Sequence, residues 1–310
     1  MKTMSLRWLC TVVLVLTAFV VLFAFGPEAG AAGLTKIADN VYSYVDTRQS
    51  APPNSFGANA GIIIGKKGVV VVDTLISAKQ ARKFIKDIGA VTGKPIKYVI
   101  NTHGHLDHTF GNYEFAKRGA IIIAQKNCLL NMKKHSESAL KNAKNFGLTL
   151  KDMKGTKIAY PTLTFTEGME IDLGDQMVEL VNTGYTHTDD SIMVYLPASK
   201  VLFTGDVLFT SYHPFLGEGD IPGWTRGLDN IMKMDVNKII PGHGPLSSKK
   251  DVEDMKNYLL AFDAKATELA VSAKSNDAPY IASELLKALP QRPEGAGLVL
   301  WNIQKKYLKK

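Results

Sequence analysis

"NTHGHLDHTFGN", Asn101–Asn112, packs three histidines and an aspartate into the six residues from His103 to His108, although the 310-residue chain has only seven histidines. On a helix, at about 100° per residue, His103, His105, Asp107 and His108 point in several directions. On a strand, His108 faces opposite to the other three. No regular element brings the four side chains together, but a loop can, with Gly104 easing the backbone. "IKYVINT", just before, reads as a short buried strand, and "NYEFAKRG", from Asn112, as a helix. A loop between a buried strand and a helix is where an α/β fold builds its sites. Imidazole and carboxylate ligate zinc, iron and manganese, so the stretch points to a metal. The plain alternative is a polar loop without a ligand.

Working outward, "NVYSYV" (Asn40–Val45) alternates as a strand does, and "GANAGIIIGKKGVVVVDT" reads as two strands joined at Gly-Lys-Lys-Gly. "SAKQARKFIKDIGAV" has helical spacing, with Ser77 as N-cap. A strand "AIIIAQ" and a polar helix from about Asn127 to Asn145 complete the first half. The second half repeats the theme. "TLTFTEGMEIDLGDQMVELVNTG" holds two or three strands, and "SIMVYLP" and "KVLFTGD" two more. The Gly/Pro-rich loop "HPFLGEGDIPGW", the helix "GLDNIMKM" and the strand "KIIPGHGP" follow. Two mixed halves predict an α/β (α+β) fold in four layers, two sheets face to face with helices outside. From Lys249 to Lys310 the pattern is helical, a cap that packs on the sandwich or walls a substrate pocket.

Three more ligand-type residues sit at strand ends beside glycine: His187 in "TGYTHTDD", Asp206 in "FTGDVLF" and His243 in "IIPGHGP". With His-x-His-x-Asp-His at His103, His105, Asp107 and His108, followed by His187, Asp206 and His243, the chain resembles the metallo-β-lactamase-fold hydrolase superfamily over about residues 35–250. The resemblance implies an αβ/βα sandwich of that type. It implies that His103, His105 and His187 bind one metal, that Asp107, His108 and His243 bind a second, and that Asp206 bridges them with a hydroxide. Two zinc ions are the implied cofactors, with iron or manganese as alternatives, and the hydroxide is the nucleophile. Asp107 would also orient the nucleophile and shuttle a proton.

Around this set, Asp73 ends "VVVVD" and either holds the metal loop and orients an imidazole or caps the next helix. Thr186, Thr188 and Asp189 either orient His187 or are turn residues. Tyr212 and His213 could touch substrate or be surface residues, Trp224 packs its loop or lines the pocket, and His135 faces solvent. The family's substrates include β-lactams, thioesters, lactones, phosphodiesters and sulfate esters. Its best-known zinc β-lactamases carry Cys at the position of Asp206 and Lys three residues later, where this chain has Phe209. Arg226 is a candidate substitute for that lysine. Asp206 resembles the bridging aspartate of glyoxalase II and the lactonases. The expected activity is dinuclear metal-dependent hydrolysis of an ester, thioester, lactone or amide carbonyl. β-Lactam hydrolysis is the alternative, and a catalytically silent exported zinc-binding protein is the alternative of another class.

Apolar content of 45% and charge of 21% describe a globular chain with a real core. The net charge of +8 comes from scattered lysines with no aromatic interleaving, so no nucleic-acid partner is expected and the partner is a small molecule. Lys2 and Arg7 flank the apolar run Trp8–Phe25, and "GPEAGAAG" follows. This is a signal-peptide pattern over residues 1–31, cleaved after Ala31, and it predicts a periplasmic or secreted protein. The competing reading is an uncleaved anchor that keeps the chain at the membrane. The expected organisation is therefore signal 1–31, metal-binding domain 32–248 and helical cap 249–310. After cleavage only Cys128 remains, so no internal disulfide forms and Cys128 reads as a structural or mild surface thiol.

Overall fold

A computed structural model describes residues 33–46, 57–271 and 273–308 of the protein. The expected signal and anchor segment lies outside the described residues. Among the described residues, no helix is long and apolar enough to cross a membrane.

The first half forms strands β1 (Thr35–Ala38), β2 (Val41–Tyr44), β3 (Ala60–Gly65) and β4 (Gly68–Val72), then helix α1 (Ala78–Val91) and strand β5 (Ile96–Ile100). Next come the short helices α2 (Leu106–Thr109) and α3 (Asn112–Ala116), strand β6 (Ile121–Gln125), helix α4 (Lys126–Lys141) and strand β7 (Leu163–Phe165). These seven strands make one sheet in sequence order, antiparallel from β1 to β4 and parallel from β4 to β7. The second half supplies β8 (Gly168–Asp172), β9 (Met177–Asn182), β10 (Ile192–Leu196), β11 (Val201–Phe209), helix α5 (Ile221–Lys233) and β12 (Lys238–His243). Its five-stranded sheet runs β12-β11-β10-β9-β8, with only β11 and β12 parallel. Helices α6 (Lys249–Ala270), α7 (Ala278–Ala288) and α8 (Ala296–Asn302) close the described chain, with a final turn over Ile303–Tyr307.

The apolar strand runs are explained by burial on both faces. In β4, Val70 and Val72 point between the sheets, onto residues such as Phe203 and Ile240. Val69 and Val71 point outward onto Ala81, Phe84 and Ile88 of α1. The outer face of the second sheet is covered by α5 and by the C-terminal helices, which share one apolar core containing Leu202, Trp224, Phe262, Ile281 and Val299. The four expected layers are therefore present, helix, sheet, sheet and helix. Full burial of a side chain such as Phe84 contributes roughly 1.5–3 kcal/mol.

Local structure departs from the sequence reading in four places, the first being that β11 runs on to Phe209 and so carries Asp206 inside it and not at its end. Strand β1 was not expected, because "TKIA" is too short to show an alternation. Helix α5 starts at Ile221, inside the segment read as a loop. Asp220 caps it, accepting from the Gly223 N–H at 2.8 Å, and Pro222 fits the first turn, where a missing N–H costs nothing. The histidine stretch is only half a loop, since Asp107 and His108 ride on α2. Ser77 caps α1 as expected. Cys128 is buried against Ala124 and Met132, and burial pushes its thiol well above the usual range, the mark of a structural cysteine.

Candidate metal centre

The site lies where the two sheets present the C-terminal ends of β4, β5 and β12 and the middle of β11, which carries Asp206. Two buried asparagines close the quoted stretch at its ends. Asn101 donates to Asn112 Oδ1 at 3.0 Å and Asn112 donates back at 2.8 Å, so the loop is pinned as a short closed unit. Asp73, in the left-handed region at φ 57°, braces it from β4. Its carboxylate accepts from the Thr102 N–H and the Thr102 hydroxyl, each at 2.8 Å, and faces His108 Nδ1 at 2.8 Å. Asp73 thus both holds the loop and orients an imidazole, and capping α1 falls to Ser77.

Seven side chains offer ligand atoms in two groups, His103, His105, His187 and Asp206 in one, and Asp107, His108 and His243 in the other. In the first, His105 Nδ1 stands 3.0 Å from His103 Nε2 and 3.1 Å from His187 Nε2. Asp206 Oδ2 lies 3.7 Å from His103 Nε2 and 3.4 Å from His187 Nε2. Its other oxygen, Oδ1, reaches the second group, 3.0 Å from His108 Nε2 and 3.3 Å from His243 Nε2. Asp107 Oδ2 completes that group at 3.4 Å from His243 Nε2 and 3.8 Å from His108 Nε2. Ligands held about 2.0–2.1 Å from a tetrahedral zinc stand roughly 3.3 Å apart, close to these separations.

The tautomers fit the same use. The outer nitrogens of four rings have acceptors: Thr102 Oγ1 for His103, Glu218 Oε2 for His105, Asp73 Oδ2 for His108 and the Phe215 carbonyl for His187. An outer N–H donated in this way leaves the inner nitrogen with its lone pair toward the centre. His108 Nε2 and Asp206 Oδ1 are buried without an aligned hydrogen-bond partner. Buried polar atoms are nearly always satisfied, and a cation between these two would satisfy both. The donor set therefore fits divalent metal.

Electrostatics sort the rings. Burial, with the His108 charge next, drives the His103 pKa well below its usual value, and burial takes His187 down to about 3. Both stay neutral and able to ligate. Burial opposes charge on His108 too, but Asp206, Asp107 and Asp73 outweigh it and raise that ring well above its usual value. Burial likewise opposes charge on Asp206, yet His243, His108 and His103 hold it well below the carboxylate range. The hydrogen bond from His105 draws Glu218 down to about 2.

Glycines make room for this packing. A Cβ on Gly242 would stand 2.0 Å from Asp206 Oδ1, and Gly205, at φ +49°, would put one 2.5 Å from Thr102 Oγ1. Phe209 occupies the expected lysine position and stacks on the His243 ring, centroids 4.8 Å apart and 5° from parallel. Arg226 is exposed on α5 and absent from the cavity lining. The lysine that lines the cavity is Lys305, after α8.

The remaining candidates divide. Trp224 is fully buried, donates to the Val207 carbonyl at 2.8 Å and backs the His187 ring at 5.1 Å, so it packs. His213 is neither a surface residue nor a pocket residue, being buried with Nδ1 2.6 Å from the Tyr258 hydroxyl. Tyr212 is buried too, its ring 5.5 Å from that of His243. Thr186 meets Thr183 Oγ1 at 3.0 Å, and Thr188 bonds to Asp190 and Ser191, so both shape the His187 turn without contacting the ring nitrogens. Asp189 accepts from Asn131 at 2.8 Å, away from His187. His135 is exposed at the cavity rim. Glu218 was missed, because one acid in a Gly-rich loop carries no signal until the fold brings it to His105.

A four-layer sandwich with imidazole and carboxylate groups gathered at its strand ends is the architecture of a metal-dependent hydrolase. A model of the metallo-beta-lactamase superfamily matches residues 54–243, more than half of the chain, and the chain belongs to that superfamily. It is a metal-dependent hydrolase of that kind. A metallo-beta-lactamase type 2 of Elizabethkingia meningoseptica is 26% identical over 266 residues, spanning 84% of this chain and 97% of that protein. A linear primary-alkylsulfatase of Pseudomonas sp. is 26% identical over 228 residues, 63% of this chain but 43% of the alkylsulfatase. Among solved structures, a metallo-beta-lactamase from Pontibacter korlensis matches with TM-score 0.59 at 21% identity, over 73% of this chain and 98% of that one. An inverting sec-alkylsulfatase from Pseudomonas sp. matches with TM-score 0.65 at 18% identity, over 89% and 50%. These structural likenesses are likenesses of fold.

Proposed function

We propose that the chain is an exported, dinuclear zinc hydrolase acting on the carbonyl of an ester, thioester, lactone or amide. The observation that carries this reading is the sharing of Asp206, whose two oxygens face two separate groups of ligand atoms. His103, His105 and His187 would hold one ion and Asp107, His108 and His243 the other, with Asp206 between them. A bound pair of divalent ions supplies Lewis acidity for the carbonyl and lowers the pKa of water from 15.7 toward about 7.

The chain's own residues do the rest. Asp107 lines the cavity as well as facing His243, so one of its oxygens can take the proton of the attacking water. The water oxygen bonds to the carbonyl carbon, the bond from carbon to oxygen, sulfur or nitrogen breaks, and Asp107 returns the proton to the leaving atom. Asp73 and Glu218 keep His108 and His105 in the required tautomers. Export rests on Lys2, Arg7, the run Trp8–Phe25 and cleavage after Ala31, and places the enzyme in the periplasm or outside the cell, or at the membrane if the segment is retained. β-Lactam hydrolysis is the second reading, supported by the likeness along 97% of the Elizabethkingia protein. Lys305 would then meet the carboxylate.

The test is a chromogenic panel on zinc-, iron- and manganese-loaded protein: nitrocefin, thioesters, lactones, carboxylic esters and an alkyl sulfate. His105→Ala is expected to lower metal content and abolish turnover. Unchanged metal stoichiometry and rate in that variant would overturn the site. A loaded protein inert toward the whole panel would favour a silent metal-binding protein.

A further inference from the structure

Above the ligand groups lies a cavity of about 430 Å³, within the size range of small-molecule sites. His105, Asp107, Asp206 and His243 form its floor. Its apolar walls come from four separate parts of the chain, one of them the loop that carries Phe215. Leu106 and Phe110 belong to the metal loop, Phe146 follows α4, and Leu298 and Trp301 belong to α8. The Phe146 and Trp301 rings meet across the opening, centroids 5.7 Å apart and tilted by 57°. Both are only half-buried, as are Leu106 and Phe215, which also lines the cavity beside His105. Apolar rings left partly wet around a reactive floor mark a binding surface more than a core. A small polar substrate would gain nothing from them.

Resting on the hydrolase reading above, we propose that the substrate carries an extended apolar chain, aliphatic or aryl, that lies in the cavity against Phe110, Phe146, Leu298 and Trp301 while its scissile group sits on the floor. The C-terminal helices then serve as the specificity wall of the enzyme. The cavity abuts the floor without interruption, so a chain attached directly to the scissile group can occupy both at once. Each methylene taken out of water there raises kcat/KM about fourfold until the cavity is filled.

The test uses the full metal-loaded chain and two ester series. One lengthens the acyl side from p-nitrophenyl acetate to p-nitrophenyl octanoate, and the other lengthens the alcohol side of alkyl acetates. The wild type is expected to show a rising slope in one series, which also identifies the side of the substrate that enters. In Trp301→Ala the octanoate-to-acetate ratio, or its alcohol-side equivalent, is expected to fall at least tenfold. Phe146→Leu provides a milder variant that retains an apolar side chain. Measurable turnover with no slope in either series would overturn the proposal while leaving the hydrolase reading intact. If no ester turns over, calorimetry with decanoate decides. Binding that weakens in Trp301→Ala supports the apolar site, and no binding overturns it.

Discussion

At and beneath the cavity floor, His103, His105, Asp107, His108, His187 and His243 project from strand ends and short turns, and Asp206 from inside β11, all held in place by the two sheets. At the walls, Phe146, Leu298 and Trp301 project from helical segments packed against the outside of the sandwich. The floor is polar, buried and over-determined: Asp73 accepts two hydrogen bonds from Thr102 besides facing His108, and two asparagines lock the loop. These wall residues are apolar and held mainly by packing, with Phe146 and Trp301 partly wet, and polar groups such as Asn142, Asn145 and Lys305 line the cavity beside them. A floor built this way tolerates no displacement, because each ligand atom also fixes its neighbour. A wall built from apolar contacts can change shape without disturbing the chemistry beneath. The contrast assigns reaction type to the floor and substrate choice to the walls.

Asp206→Ala attacks the floor where both ligand groups meet. It should lower kcat/KM on the order of 10⁴-fold and disturb two-metal occupancy, read by elemental analysis of the dialysed protein. A variant that keeps two tightly bound ions would separate Asp206 from the bridging role and break the contrast. Asp73→Asn acts one contact away from the ligands. It replaces an oxygen facing His108 with an amide and should cost about 10–100-fold in metal affinity or activity. Equal loss in metal affinity at both ion positions would argue that Asp73 works mainly through the loop and not through His108.

The smallest effect concerns the seam between wall and floor. Arg292 donates to the Phe209 and Tyr212 carbonyls and lies over the Tyr258 ring, 4.3 Å from its centroid, while Tyr258 meets His213. Burial, then the Arg292 charge, lowers the His213 pKa to about 4 from the usual 6.5. Between these values the unfolded chain binds more protons at this ring than the folded one, so folding stability falls as pH drops from about 6.5 to about 4. His213→Asn should flatten this part of the Tm-against-pH curve. An unchanged slope would place the acid sensitivity elsewhere.

The sequence reading singled out the seven ligand-type residues that the fold brings together. Ligand-type residues are rare, and crowding them at His103–His108 and at glycine-flanked strand ends carries information that survives without a structure. It also reached the four layers, because apolar runs such as Val69–Val72 state their burial directly. It missed what depends on partners. Helix α2 is one turn long, too short for any periodicity. Asn101 and Asn112 look ordinary until they face each other. His213 looked like a loop residue near a site, and packing with Tyr258 removed it from both surface and pocket.

By itself, then, the sequence determined which ligand-type residues to look for, their order along the chain and the class of chemistry, because local spacing and residue type carry that information. Only the tertiary structure decided that Glu218 steadies His105, that Phe209 seats His243 where a lysine was sought, and that Trp301 faces Phe146 over the floor. These are meetings of residues far apart in the chain. An apolar side chain in a helix reads the same whether it fills a core or lines a pocket, until the fold shows which face is left open.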